Sequence, residues 1–298
     1  VVREGERADV TLLLHAASTF ERSIGTMDYT IILRLTGPMA DTVTVERDGH
    51  VLLIGLDRPD KRNAFTLEML AELSRAYALL ERDDDLRAGV LFAHGDHFTA
   101  GLDLVDVAPA LASGAITYPE DGLDPWRLDY RWTKPVVAVA QGRCLTLGIE
   151  LLLAADIRIA AADARFSQLE VRRGIYPFGG ATLRFWREAG WGNAMRWVLT
   201  GAEFDAAEAL RIGLVQQVAP DAAAALAAAR ALATEIAEES APLGVRAILA
   251  SAHRARAEGD AAAAEHLLGD VTALFATADG AEGIQSFVER RKANFIGR

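Results

Sequence analysis

Two glutamates, Glu150 and Glu170, punctuate the mostly apolar run LGIELLLAADIRIAAADARFSQLEV at residues 147–171. In such surroundings an unpaired carboxylate is costly or takes up a proton. Two of them brought together could exchange protons with a ligand. Kept apart, each is a surface or ion-paired side chain, with Arg172 and Arg173 at hand. Glu150 follows QGRCLTLG, a strand-to-helix turn whose first N–H groups have no partner within the helix. Glu170 follows a strand and the short link FSQL. A parallel strand separates the two, so they can converge at the sheet edge, where open α/β folds place ligands.

The elements that must position them read clearly from Asp41 onward. VTVE, RDGH and VLLIGL predict two strands around an Asp-Gly turn. TLEMLAELSRAYALLERDDD carries Leu67, Leu70, Leu73, Tyr77 and Leu80 at helical spacing, with Thr66 placed as a cap. AGVLFAHG, TKPVVAVAQG and ADIRIAA read as strands, with helices from about Leu104 and about Gly148 between them. This alternation implies an α/β fold with a largely parallel sheet. Residues 111–131, with Gly114, Pro119, Gly122 and Pro125, read as a long loop able to line a site. Residues 221–290 are Ala-rich and helical by propensity. The expected division is an N-terminal extension, poorly packed, over 1–40, a core over 41–219 and a helical region over 220–298.

Composition narrows the partners. The net charge is −11 and no dense Lys/Arg block occurs, which argues against nucleic acid. Arg143, Glu150, Asp156 and Arg158 interrupt the most apolar region, so no membrane span is expected. The single cysteine, Cys144, allows no internal disulfide and fits a reducing, cytoplasmic setting. No metal site is expected: the six histidines are scattered, and His94 and His97 read as part of a turn. Dinucleotide, P-loop and serine-hydrolase motifs are missing.

From about residue 42 to 298 the chain resembles the crotonase (enoyl-CoA hydratase/isomerase) superfamily. The resemblance is carried by LDRPDKRNAFTLEML, HFTAGLDL, KPVVAVAQGRCLTLGIELLLAADIRIAAADARFSQLEVRRGIYPFGGATLR, VLTGAEFDAAEALRIGLVQQV and FVERRKANF. It implies a core of stacked ββα turns, a C-terminal helical region that trimerises, and a homotrimer or dimer of trimers. It also implies an acyl-CoA thioester substrate, with coenzyme A as part of that substrate and no separate cofactor. By resemblance, Glu150 is expected to take the water-activating role and Glu170 the proton-donating role in hydrating a trans-2-enoyl-CoA. The resemblance further implies that two backbone N–H groups, carried over to Ala100 and Leu147, stabilise the thioester oxygen. Arg58, Lys61, Arg62 and Ala64 fall where the family binds CoA, and Lys292 where it reaches a CoA phosphate of a neighbouring subunit. Gly101, Leu102, Asp103 and Gly148, in and beside the oxyanion motifs, are likewise expected to contact the CoA substrate, with Asp103 also expected to cap the helix that follows.

Several positions depart from the pattern. Thr146 and Leu147 replace two glycines, at a cost if either needs a positive φ. Leu169 replaces a proline, and Tyr176 and Phe178 are positioned to narrow the acyl pocket. The alternatives are a double-bond isomerase, which commonly works with one glutamate, and a non-catalytic acyl-CoA-binding scaffold.

Overall fold

The strand VLLIGL is apolar throughout because both of its faces are covered. Leu52, Ile54 and Leu56 enter one buried cluster, while Val51 and Leu53 enter a second on the opposite face. The structure, a computed structural model, describes residues 42–128 and 132–298, and the extension expected over 1–40 lies outside the described residues. No described helix is long and apolar enough to cross a membrane.

A six-stranded sheet runs in the order β1 (Val43–Asp48), β2 (Val51–Leu56), β3 (Ala88–Ala93), β4 (Val136–Ala140), β6 (Ile157–Ala161) and β9 (Gln217–Ala219). Its first pair is antiparallel and the rest are parallel. The hairpin expected between the first two forms as read, with Asp48 opposite Val51. A smaller sheet joins β5 (Arg143–Leu145) to β7 (Arg165–Ser167) in parallel, and β7 to β8 (Phe204–Asp205) antiparallel. The chain thus alternates between sheets: β4 feeds β5 and then a helix, and β6 feeds β7 and then a turn. This is the stacked ββα arrangement expected from the sequence.

Helix α1 (Leu67–Arg82) buries Leu70, Leu73, Tyr77 and Leu80, and Met69 N–H donates to Thr66 Oγ1 at 3.1 Å as a cap. Leu67, in the first turn, stays exposed. Helix α2 (Leu104–Ser113) takes the first residues of the expected loop and ends at Gly114 in the left-handed region. Helix α3 (Leu147–Ala154) is buried along its whole length, which explains why its sequence lacks a polar face. Helices α4 (Ala181–Ala189), α5 (Trp191–Thr200) and α6 (Ala206–Arg211) follow.

The Ala-rich stretch forms α7 (Ala222–Glu239), and here the expected boundary shifts. Ala225, Ala229, Ala233 and Ala237 are fully buried, packed on Val51, Val90, Val137, Val139 and Ile159. One methyl per turn lets the helix lie close to the sheet, so α7 is part of the core rather than of an appended region. Beyond it come α8 (Pro242–Glu258), α9 (Asp260–Ala264), α10 (Leu267–Phe275) and α11 (Ala278–Glu289). These helices leave Ile248, Leu268, Phe275, Phe287 and Val288 exposed. Helices α8, α10 and α11 line an open apolar cavity of about 500 Å³.

Candidate active site

The turn between β5 and α3 is built on strain. Thr146 sits at φ 50° and ψ −118°, a region that β-branched residues avoid and that costs of order 1–3 kcal/mol. Its neighbour Leu147 is already helical, so only one of the two glycine replacements carries that cost. The turn is held by Thr146 N–H, which donates to Ser167 O at 2.9 Å, and by Ile149 N–H, which donates to Thr146 O at 2.9 Å. Gly101, at φ 91°, comes so close that an added Cβ would lie 2.0 Å from Thr146 Oγ1. The N–H of Leu147 donates to no group among the described residues.

The other N–H group is not the one expected. Ala100 N–H donates to Arg62 O at 2.9 Å and is therefore occupied. Two residues on, Leu102 forms a parallel bridge with Phe65, with Phe65 N–H donating to Gly101 O and Asp103 N–H to Phe65 O. That pattern turns the Leu102 amide away from Phe65, and its N–H donates to no group among the described residues. The positive φ of Gly101 resets which side the following peptide faces, so the free donor is Leu102, not Ala100. Both Leu102 and Leu147 line a cavity of about 280 Å³, whereas Ala100 does not.

The glutamates are buried, Glu150 fully and Glu170 to 4 % exposure. Neither pairs with Arg172 or Arg173, whose ion-pairing would have made both carboxylates ordinary. Burial pushes the Glu150 carboxyl above its usual range, opposed by the N–H groups of Ala181, Gly179 and Gly180 and by the charge of Arg184. Ala181 N–H reaches Glu150 Oε1 at 2.9 Å, and Oε2 is buried with no partner among the described residues. Glu170 is pushed up to about 7, by burial first and then by the neighbouring charge of Glu150. The Glu150 charge therefore reaches Glu170, so the two carboxyls lie within electrostatic range of one another.

Gly179 separates the cavity from Glu150. A Cβ there would lie 2.8 Å from Glu150 Oε2 and 3.0 Å from Trp126 Cδ1, so only glycine lets the cavity wall approach the carboxylate this closely. Trp126, fully buried, donates from Nε1 to Leu147 O at 3.1 Å and stands edge-on to Phe65. Trp126, Tyr118, Ile116 and Leu128 bring the 111–131 loop to the cavity, as its composition suggested; residues 129–131 lie outside the described residues. Nothing in residue spacing marks Trp126 as a wall residue, because its role depends on a loop folding back onto α3.

The remaining expected positions divide. Phe178 lines the cavity, whereas Tyr176 is two-thirds exposed and does not. Gly148 is buried against Thr99. Asp103 stands at the start of α2 but makes no side-chain cap; its carboxylate accepts from Arg58 Nη1 at 2.9 Å, which holds it below the usual carboxylate range. Arg58 Nη1 also donates to Ala64 O, so Arg58 is anchored while Lys61 and Arg62 remain exposed. Asn63, fully buried, pins this turn by donating to His94 O and His97 O. Lys292 Nζ pairs with Glu239 at 2.6 Å and touches none of the residues above. No cluster of metal-ligating side chains occurs among the described residues.

Residues 46–298 match the profile of the enoyl-CoA hydratase/isomerase family. An enoyl-CoA hydratase of Mycobacterium tuberculosis is 34 % identical over 261 residues, covering 85 % of this chain and 96 % of that protein. A crotonyl-CoA hydratase of Syntrophomonas wolfei is 33 % identical over 260 residues, covering 87 % and 99 %. The crystal structure of a probable enoyl-CoA hydratase/isomerase from Mycobacterium abscessus superposes with a TM-score of 0.83 at 53 % identity, covering 87 % of this chain and 99 % of that one.

Proposed function

Because the chain belongs to the enoyl-CoA hydratase/isomerase family, we propose that it reversibly adds water to a trans-2-enoyl-CoA, giving a 3-hydroxyacyl-CoA. The thioester oxygen accepts from the N–H groups of Leu102 and Leu147. These donors are in place before charge develops on that oxygen, which is where such groups contribute most, about 2.7–4 kcal/mol each. Water forms its bond to C3 as Glu150 removes its proton, and Glu170 delivers a proton to C2. The sum is addition of one water molecule, redox-neutral, with the proton returned between the carboxyls.

The two environments support this assignment of roles. Burial raises Glu150 too, but Ala181 N–H and the Arg184 charge oppose that push, and its buried Oε2 has no partner among the described residues, which leaves it able to accept from a bound water. Glu170, at about 7, keeps its proton into the neutral range and can donate it. The observation that carries the reading is the burial of two carboxyls, with Glu150 set directly behind Gly179 in the wall of a cavity that two unoccupied N–H groups line. An isomerase commonly needs only one such group.

Exposed Lys61 and Arg62, with anchored Arg58 and Ala64, supply the CoA contact in this proposal. Lys292 serves a neighbouring subunit. The exposed apolar face of α8–α11 supports assembly as a trimer or a dimer of trimers. The setting is cytoplasmic, in keeping with a lone buried thiol. Crotonyl-CoA incubated with the purified full chain should lose its conjugated-enone absorbance. Binding of CoA with no loss of absorbance, for any enoyl chain length offered, would establish the scaffold alternative instead.

A further inference from the structure

Gln168 lies on the link between β7 and the 3₁₀ turn Leu169–Arg173, and it is fully buried. With its carboxamide nitrogen turned inward, it donates to Thr146 O at 3.0 Å and to Glu170 Oε2 at 3.3 Å. One side chain therefore touches both the strained turn that presents Leu147 and the carboxyl that the proposed reaction uses as its acid. Its backbone is clamped as well. Ser167 Oγ donates to Gly201 O at 2.9 Å, and Gly201, at φ 58°, approaches so closely that a Cβ would lie 3.0 Å from Gln168 O.

We propose that Gln168 is a positioning residue that fixes the Glu170 carboxyl relative to the Leu147 N–H by bridging Glu170 and Thr146. The inference rests on the acid role proposed above for Glu170. Its chemistry is specific. A carboxamide offers two N–H donors, one for each acceptor, and carries no charge that would disturb the neighbouring pair. Without it, Thr146 O keeps only partners from its own helix, and Glu170 loses the side-chain donor that steadies its ionised form. Burial and Glu150 then act on Glu170 unopposed from that side.

The test reads the carboxyl directly. In the full chain, Glu170 is followed by carboxyl NMR with labelled glutamate, its signal assigned by its loss in Glu170→Gln. In Gln168→Met, which keeps the volume, the Glu170 titration should move upward by about one pH unit. Gln168→Glu, which keeps the shape but substitutes an acceptor for the donor, should move it at least as far. Hydration by both variants should lose about 10- to 100-fold in kcat, with KM for crotonyl-CoA changed less. A Glu170 titration that is the same in wild type and either folded variant overturns the proposal. This readout does not need turnover: an inactive wild type would sink the hydratase reading, while the titration would still decide the role of Gln168.

Discussion

Replacing Glu170 by Gln removes a carboxyl that the fold holds at about 7 against an ordinary value of 4.5, and the folded chain should gain stability above neutrality. The sign follows from proton binding. The folded state holds the Glu170 proton more tightly than the unfolded chain, so the stability tied to that proton is complete below the unfolded value and is lost as pH rises towards 7. At 1.36 kcal/mol per pH unit, the loss amounts to about 3 kcal/mol once both states are ionised. Gln168 can still meet the new amide through its oxygen, and glutamine cannot ionise. The difference between variant and wild type should therefore grow from near zero at about pH 4.5 to about 3 kcal/mol at about pH 8. For a chain of 298 residues that corresponds to roughly 5 °C in Tm. Thermal unfolding of both proteins across that pH range, at one protein concentration, measures it, because titrations common to both cancel in the difference. A variant whose advantage does not change with pH would show that Glu170 does not carry the raised proton affinity, and the acid role would go with it.

Glu150→Gln and Glu170→Gln should each lower kcat for crotonyl-CoA hydration by about 10²- to 10⁴-fold, with little change in KM, measured by enone absorbance. In wild type, hydration should fall as pH rises above about 7, because Glu170 must be protonated to donate; a rate flat through that range would reverse the assignment. Thr146→Gly should stabilise the chain by about 1 kcal/mol in denaturant unfolding, the relief of positive-φ strain outweighing the added unfolded-state freedom. Trp126→Phe keeps the aromatic wall but leaves Leu147 O without its indole donor, and should lower kcat/KM by about tenfold at most.

What the sequence disclosed divides along physical lines. The two glutamates were visible because charge inside apolar text is anomalous by itself, and the strands because both faces of the sheet are covered. Leu102 was named at the site, but its role as the free donor was not visible. Which of several consecutive amides is free depends on the dihedral at Gly101 and on a bridge to Phe65 from a segment more than thirty residues away. Trp126 and Gln168 were hidden for the same reason: each acts through a hydrogen bond to the turn before α3 or its first residue, and no spacing rule encodes that contact. The Ala-rich helix α7 was legible as a helix but its packing on the sheet was not, because propensity reports the helix and not what its alanines touch.

The Thr146–Leu147 replacement links these points. A glycine run at this turn would supply the positive φ without strain, and its loss should weaken a site that depends on where one amide points. Here the turn is held from several directions: by Ser167 O on the Thr146 amide, by Ile149 N–H and Gln168 on its carbonyl, and by Trp126 on the Leu147 carbonyl. Strain of order 1–3 kcal/mol survives where the surroundings over-determine it, and each of these bonds is individually of that size or smaller. The amide of Leu147 is therefore aimed by its neighbours more than by its own backbone preference. It follows that Thr146→Gly should recover stability without recovering activity when combined with Gln168→Met, because the glycine relieves the strained turn but cannot replace the bridge to Glu170.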